Sequence, residues 1–471
     1  MREDYSRGRI TRRSLVKGTG AAALTGVGGH MLGGSASAQQ ASPAASPATV
    51  TRNIKGTELK ILQWSHFVPR YDTWFDKFAQ DWGTANDVKV ATDHINTAEV
   101  PATIAAEIAA KEGHDLVEHI ASLAQYEEAM LDLTDLVQEA SAKHGEQLPM
   151  CKANSFNPKT NVFYGFCHGY APDPGNYRKS LWETAGAADG PSSWDNLLEL
   201  GTKIMKDQGV QMGLGMSNEI DSRMAAQELM WAFGSSVQDK DSNVVINSDE
   251  TVAAVEFMAK LFKACMTDEV FGWNAASNNQ LMIAGQASYI LNSISAYRSA
   301  QTQQPDVAKD IFFVKPLDGP AGADWAIAHG HAVFIYQIPK YSKNVDTAKE
   351  FIMHLVDNYA DACNQSELYN FPAWPSIVPD LTAEGGWLDK DPFNSDPPNK
   401  LAVLKDAEKW TRNLGYPGPA NAAIGEVMNL PILPNMMARA AQGKQTAKES
   451  VAQAESEIKP IFDKWRKAGL I

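Results

Sequence analysis

The sequence predicts an α/β protein large enough for two domains, on three observations. Short apolar runs of strand length alternate with longer segments of helical periodicity. Hydrophobic residues make up 44% of the chain, enough to fill a large core. The length, 471 residues, suits two domains of ordinary size. Strands that alternate with helices further imply parallel sheets covered on both faces.

The elements follow in order. ELKILQW (58–64) is a short apolar run suited to a buried strand, and in RYDTWFDKFAQDW the residues Tyr71, Trp74, Phe75, Phe78 and Trp82 recur at helical spacing. KVATDHI, an alanine-rich helix around 99–111, HDLVEHI and ASLAQYEEAMLDLTDLV continue the alternation. Beyond NVFYGF (161–166) the chain is mostly helical, with strands expected at QMGLGMS, NVVIN and ASYILN. Ser192 or Ser193 is placed to cap the helix of PSSWDNLLEL, and Ser248 that of NSDETVAAVEFMAKLF. DIFFVKP and HAVFIYQI are strand-like and precede the helix DTAKEFIMHLV. From 360 onward only helix and loop are expected, ending in two helices separated by QGKQTAKES.

The amino terminus is a different kind of segment. Arg12, Arg13, Leu15 and Lys17 precede the glycine-rich run GTGAAALTGVGGHMLGG and then Ala36-Ser37-Ala38. A basic region, an apolar region and a small-residue cleavage site are the parts of a secretory signal. The paired arginines make it resemble a twin-arginine signal, which sends folded proteins across a bacterial membrane. The apolar run is broken by glycines and by His30 and falls short of the roughly 20 apolar residues of a spanning helix. A signal at 1–38, cleaved after Ala38, and a periplasmic or extracellular mature protein are therefore expected; left uncleaved, the segment would be a tether. The first cysteine is Cys151, so no thiol for lipid attachment lies near the cleavage site. Residues 39–56 are Ala/Ser/Pro-rich and read as a flexible linker.

The net charge of −14 becomes −18 once residues 1–38 are removed, because they carry six Arg/Lys and two Asp/Glu. An acidic surface of this size argues against nucleic acid and anionic lipid as partners. Cys151, Cys167, Cys265 and Cys363 are too scattered for a disulfide scaffold or a zinc ribbon. Cys151 and Cys167 flank a turn, NPKTN, where they are placed either to pair in an oxidising compartment or to sit as small buried thiols.

Taken in order, LKILQWSHFVPRYDTWFDKF, GNYRKSLWETAG, PSSWDNLLEL, NVVINSDETVAAVEFMAKLF, NNQLMIAGQASYILNSISAY, FFVKPLDGPAG with YSKNVDTAKEFIMHL, and ARAAQGKQTAKESVAQAESEI resemble the extracellular solute-binding proteins of ABC importers, the maltose-binding type among them. The resemblance covers nearly all of 57–468. It implies a fold of the periplasmic binding protein type II kind, with two discontinuous α/β lobes and a ligand cleft between them. One lobe would take 57–166 plus 318–358, the other 167–317 plus 359–471. It also implies a monomeric receptor without a cofactor, binding a small solute, above all a carbohydrate, and handing it to transmembrane permease subunits.

In open α/β sheets, ligands bind beyond the carboxyl ends of the strands. That rule nominates Trp64 and His66 after the first strand, His119 after HDLVE, and Tyr170 with Asp173 at the lobe crossover. It also nominates Glu219 and Asp221 after GLGMS, Asn292 with Tyr297 after ASYIL, and Trp325 with His329 in the second crossover. A sugar wants aromatic plates against its C–H faces and polar groups at its rim. Trp64, Trp325 and Trp374 lie in or beside loops and are the tryptophans singled out, whereas Trp74, Trp82, Trp194 and Trp231 fall within helical periodicity. LNSISAY places Ser295 where the maltose-binding type has a stacking tryptophan, and His119 stands where an aromatic often does, so a maltodextrin is not the expected cargo.

Enzymatic readings have weaker footing. His114 and His119 are five apart, whereas HExxH needs four with a glutamate beside the first. His329 and His331 could share one face of a strand, for a metal or for hydrogen bonds in the cleft. No GxSxG elbow, P-loop or dinucleotide fingerprint occurs. Glu219 and Asp221 could in principle serve glycoside hydrolysis, which keeps a secreted glycan-active or metal-dependent enzyme as the alternative. A polyamine, opine-like, phosphodiester or iron-chelate cargo on the same fold is the other.

Overall fold

The computed structural model describes residues 52–330 and 332–471. The signal segment, the Ala38 cleavage site, the linker up to residue 51 and His331 lie outside the described residues.

Ten strands build two sheets: β1 (Glu58–Trp64), β2 (Lys89–Ile95), β3 (Leu116–His119), β4 (Phe166–Tyr170), β5 (Gly175–Arg178), β6 (Gln211–Gly213), β7 (Ala287–Leu291), β8 (Ile311–Val314), β9 (Val333–Gln337) and β10 (Phe371–Pro372). The first sheet runs β10-β4-β9-β3-β1-β2 and the second β8-β5-β7-β6. Neither sheet is purely parallel, which corrects the expectation from alternation. β1 is parallel to β2 and β3, as helical crossovers require. β9 is antiparallel to both β3 and β4. The cause is connectivity: the chain leaves the first sheet at Tyr170 and re-enters it at Val333, and these two residues are paired in register. The second sheet is antiparallel except where β6 meets β7.

β3, β4 and β9 are buried along their whole length, as strands covered on both faces must be. β2, at the edge, alternates between exposed and half-buried. The helix Pro69–Asn86 starts with proline in its first turn and turns Tyr71, Phe75, Ala79 and Trp82 to the core, leaving Trp74 and Phe78 half-buried. Of the two candidate caps it is Ser193 that accepts from Asn196 N, and Ser248 accepts from Thr251 N as expected. NVVIN forms only an isolated bridge between Val244 and Gln238, because Asn247 and Ser248 already turn into the next helix. After 360 the chain contributes β10 and the two-residue strand Thr411–Arg412 beside Ala328–His329, which the expectation of helix and loop alone missed. The last two helices are Ile432–Ala441 and Ala447–Lys467, the latter opened by a reciprocal Thr446/Glu449 capping box.

The four cysteines are free and buried. Burial, with Cys167 adding to it, pushes the Cys151 thiol well above its ordinary range. Among the described residues no helix is long and apolar enough to cross a membrane.

Candidate functional site

A cleft of about 820 Å³ opens between the ends of strands of the first sheet and the start of the helix Ile220–Ala232. From the first sheet come the segments just past three parallel strands: Ser65 and Phe67 after β1, Asn96 and Thr97 after β2, and His119 and Ser122 at the end of β3. These are the carboxyl ends of the strands, where the rule for open α/β sheets places a ligand. The facing wall is Asn218 to Ile220 and Arg223 at the start of the helix Ile220–Ala232, with Trp273 to Ala276 and Met428.

The electrostatics of this wall follow from local structure. Glu219 caps the helix Ile220–Ala232, its carboxylate accepting from the backbone N–H groups of Asp221 and Ser222. Burial raises its pKa, against the pull of those bonds and of Arg223. Within that helix only Ile220 and Arg223 are not buried, and both line the cleft. Arg223 Nη2 donates to Asn218 Oδ1 at 2.9 Å, while its Nε is buried with no hydrogen-bond partner. Burial holds the His119 pKa down at about 4, with the Arg223 charge adding to it, so the ring is neutral near pH 7. His119 Nδ1 accepts the Ala121 N–H at 3.2 Å in one tautomer. His329 reaches the cleft from the far side; its backbone N–H donates to Glu228 at 2.7 Å and its ring stacks on Trp231 with centroids 5.6 Å apart.

Two aromatic side chains stand in the cleft half-buried, one from each wall: Phe67 and Trp273. The Trp273 backbone is fixed by Ser217 Oγ, which donates to its carbonyl at 2.7 Å.

Of the residues nominated from the sequence, His119, Glu219 and His329 come together here. Asp221 lies one residue into the helix, buried, accepting from Asn278 Nδ2 at 2.8 Å. Glu219 and Asp221 thus serve the helix start and its neighbour rather than facing each other across a substrate. Trp64 and Trp374 are fully buried in the core of the first sheet, Trp64 stacked on Phe334 and Trp374 donating to Ser141 Oγ. His66 is buried against Asn370, its Nε2 2.9 Å from that amide oxygen. Tyr170 is buried against Phe371, and Asp173 is buried in the crossover after it. Asn292 donates to Asn279 and Ser295, and the Tyr297 hydroxyl is 2.8 Å from Ser395 Oγ, beside a separate pocket. Trp325 is half-buried, edge-on to Tyr416. His114 sits between Glu107 (2.6 Å) and Asp93 (3.0 Å); burial pulls its pKa down, but the two carboxylates outweigh it and the net shift is upward, with both ring nitrogens engaged by them.

Trp273 and Arg223 were not nominated. FGWNAASNN carries a signal like that of the Trp325 loop, a tryptophan among small and polar residues. Arg223 had no signal, since an arginine in IDSRMAAQELMWA reads as the solvated face of a helix.

Comparison with known proteins gives the family and the fold. The profile of the family described as bacterial extracellular solute-binding protein matches residues 73–392, and the chain belongs to that family. Its structure is similar to maltose-bound MalE3 of T. maritima, with a TM-score of 0.71 at 18% identity over 86% of this chain and 99% of that one. A sugar transporter protein of Arthrobacter chlorophenolicus A6 with bound laminaribiose gives a TM-score of 0.72 at 19% identity, again over 86% and 99%. Among curated proteins, a binding protein of Brucella abortus (strain 2308) is 22% identical over 182 residues, 37% of this chain. The chain spans 43% of the length of these curated relatives. The family and the solved neighbours are binding proteins, and the fold is the two-lobed α/β fold that the resemblance implied.

Proposed function

We propose that this protein is the receptor of an ABC importer for a carbohydrate, exported by the twin-arginine pathway, released by cleavage after Ala38, and working as a monomer that passes its solute unchanged to permease subunits. The observation that carries the solute class is the pairing of aromatic and polar groups in one cleft. Trp273 and Phe67 offer plates for the C–H faces of a sugar, and Asn96, Thr97, Asn218 and Asn274 offer its hydroxyls donors and acceptors. The neighbours solved with maltose and laminaribiose support the same class. Ser295 in place of a stacking tryptophan argues for a cargo other than a maltodextrin.

The lobes proposed are 57–166 plus 318–358 and 167–317 plus 359–471, except that the whole of β4 and β10 go with the first lobe, whose sheet they extend. The two crossings, from β4 to β5 and from β8 to β9, are the hinge, so the walls carrying His119 and Arg223 approach one another on closure. Shifting the lobes from 1:99 open to 99:1 closed takes about 5.5 kcal/mol of differential binding. Several hydrogen bonds and a stacked ring supply that.

A thermal-shift screen of sugars, polyols, amino acids and polyamines tests the proposal, since a ligand at 100 times its Kd adds about 2.7 kcal/mol of stability. A carbohydrate hit that also reduces the radius of gyration in small-angle scattering is the expected result. Hits confined to polyamines or amino acids, or a hit without compaction, would refute it.

A further inference from the structure

We infer that Arg223 reads a carboxylate on the solute, so that the cargo is an acidic carbohydrate of the uronic type. The inference deepens the carbohydrate reading and rests on it. Arginine brings five N–H donors in a rigid fork. Here one goes to Asn218 Oδ1, which fixes the plane of the guanidinium. Nε is shut away from solvent with nothing to donate to. Among the described residues Arg223 forms no ion pair, although it stands half-buried in the wall of a cleft.

Glu219, four residues earlier, does not meet that need. Its carboxylate is turned onto the N–H groups of Asp221 and Ser222 as a helix cap, and its charge reaches Arg223 only at a distance. His119, on the facing wall, is held neutral by burial. A cation in the wall of the cleft that forms no ion pair among the described residues defines what the occupant must supply. A sugar hydroxyl would take one N–H and leave the charge unanswered. A carboxylate takes two parallel N–H bonds in the plane of the fork and neutralises the cation. The Trp273 plate and the asparagine rim then hold the rest of the ring.

Calorimetry with matched acidic and neutral sugars tests this: glucuronate against glucose, galacturonate against galactose, and digalacturonate against its methyl ester, with glucose 6-phosphate as the arm for a different anion. The acid of at least one pair is expected to bind about tenfold to a hundredfold tighter than its neutral partner. R223Q should abolish the preference, so that within the variant the acid binds no tighter than its neutral partner. R223K, which keeps the charge and loses the fork, should recover part of the preference. Circular dichroism and urea midpoints of both variants report whether they fold. Neutral sugars binding as well as their acids, R223Q keeping the preference, or the phosphate binding in place of the carboxylates would overturn the inference and leave the carbohydrate reading standing. Failure of every sugar to bind would overturn both.

Discussion

His168 Nε2 stands 2.6 Å from Glu118 Oε1, with the two side chains 0% and 2% exposed. The second oxygen of Glu118 takes Gln63 Nε2, Gln63 Oε1 in turn takes the Tyr336 hydroxyl at 3.1 Å, and His168 Nδ1 is 3.3 Å from the Tyr359 hydroxyl. One polar network therefore ties β1, β3, β9 and β4, the last being the strand that crosses to the second sheet.

Breaking that network from one side should be expensive. His168→Leu leaves the Glu118 carboxylate buried without its partner, and about 3–5 kcal/mol of stability is expected to go. Adding Glu118→Leu should recover much of it, because the second change removes the stranded charge. Urea unfolding of the two single variants and the double one measures the coupling.

The tryptophans should sort by place. Trp273→Ala is expected to weaken solute binding by about 10- to 100-fold, the loss of a stacked anchor, with little effect on the unfolding midpoint. Trp374→Ala, in the core, should instead cost about 3–5 kcal/mol of stability. Titration calorimetry beside denaturant unfolding separates the two outcomes.

Acid should find His66. Burial, opposed by its bonds to Asn370 and Val68, lowers its pKa from 6.5 to about 4. Between those values the unfolded chain binds a proton that the folded one refuses, so stability is intact above pH 6.5, falls as the pH drops, and levels off below about 4. Asp72, which burial pushes up to about 6, works in the opposite sense over part of the same range. The comparison with His66→Gln isolates the histidine: from pH 7.5 to 4.5 the native protein should lose about 2–3 kcal/mol more than the variant.

Gly169 in β4 has no room for a side chain. A Cβ there would meet the Tyr359 hydroxyl and come within 2.6 Å of the Phe371 carbonyl oxygen. Gly169→Ala is expected to destabilise by about 1–3 kcal/mol or more, through displacement of β10 or of Tyr359. Thermal unfolding measures it, with Gly443→Ala, a left-handed position where no atom crowds the Cβ, as a control for backbone strain alone.

Much of the fold was legible because it is written in local pattern. The apolar run 58–64, the aromatic face of RYDTWFDKFAQDW and the caps at Ser193 and Ser248 each answer to forces acting within a few residues. Strand direction was not legible: β9 runs against β3 because of where the chain returns from the second sheet, a matter of a connection that runs from Tyr170 to Val333. Of the site, His119 and Glu219 could be found because strand and helix ends mark them, whereas Trp64 and Trp374, next to loops in the sequence, are closed over by the sheet core.

The sequence by itself determined the class of the protein: a chain of alternating strands and helices with the segment order of the solute-binding family and an acidic surface. Those properties are sums over many residues, and no single contact can undo them. Only the tertiary structure decided which polar groups line the cleft, leaving Arg223 half-buried and, among the described residues, without an ion pair, while Glu219 is spent on a helix end. Charge is carried by the residue, but whether that charge is already paired depends on neighbours that folding alone brings near.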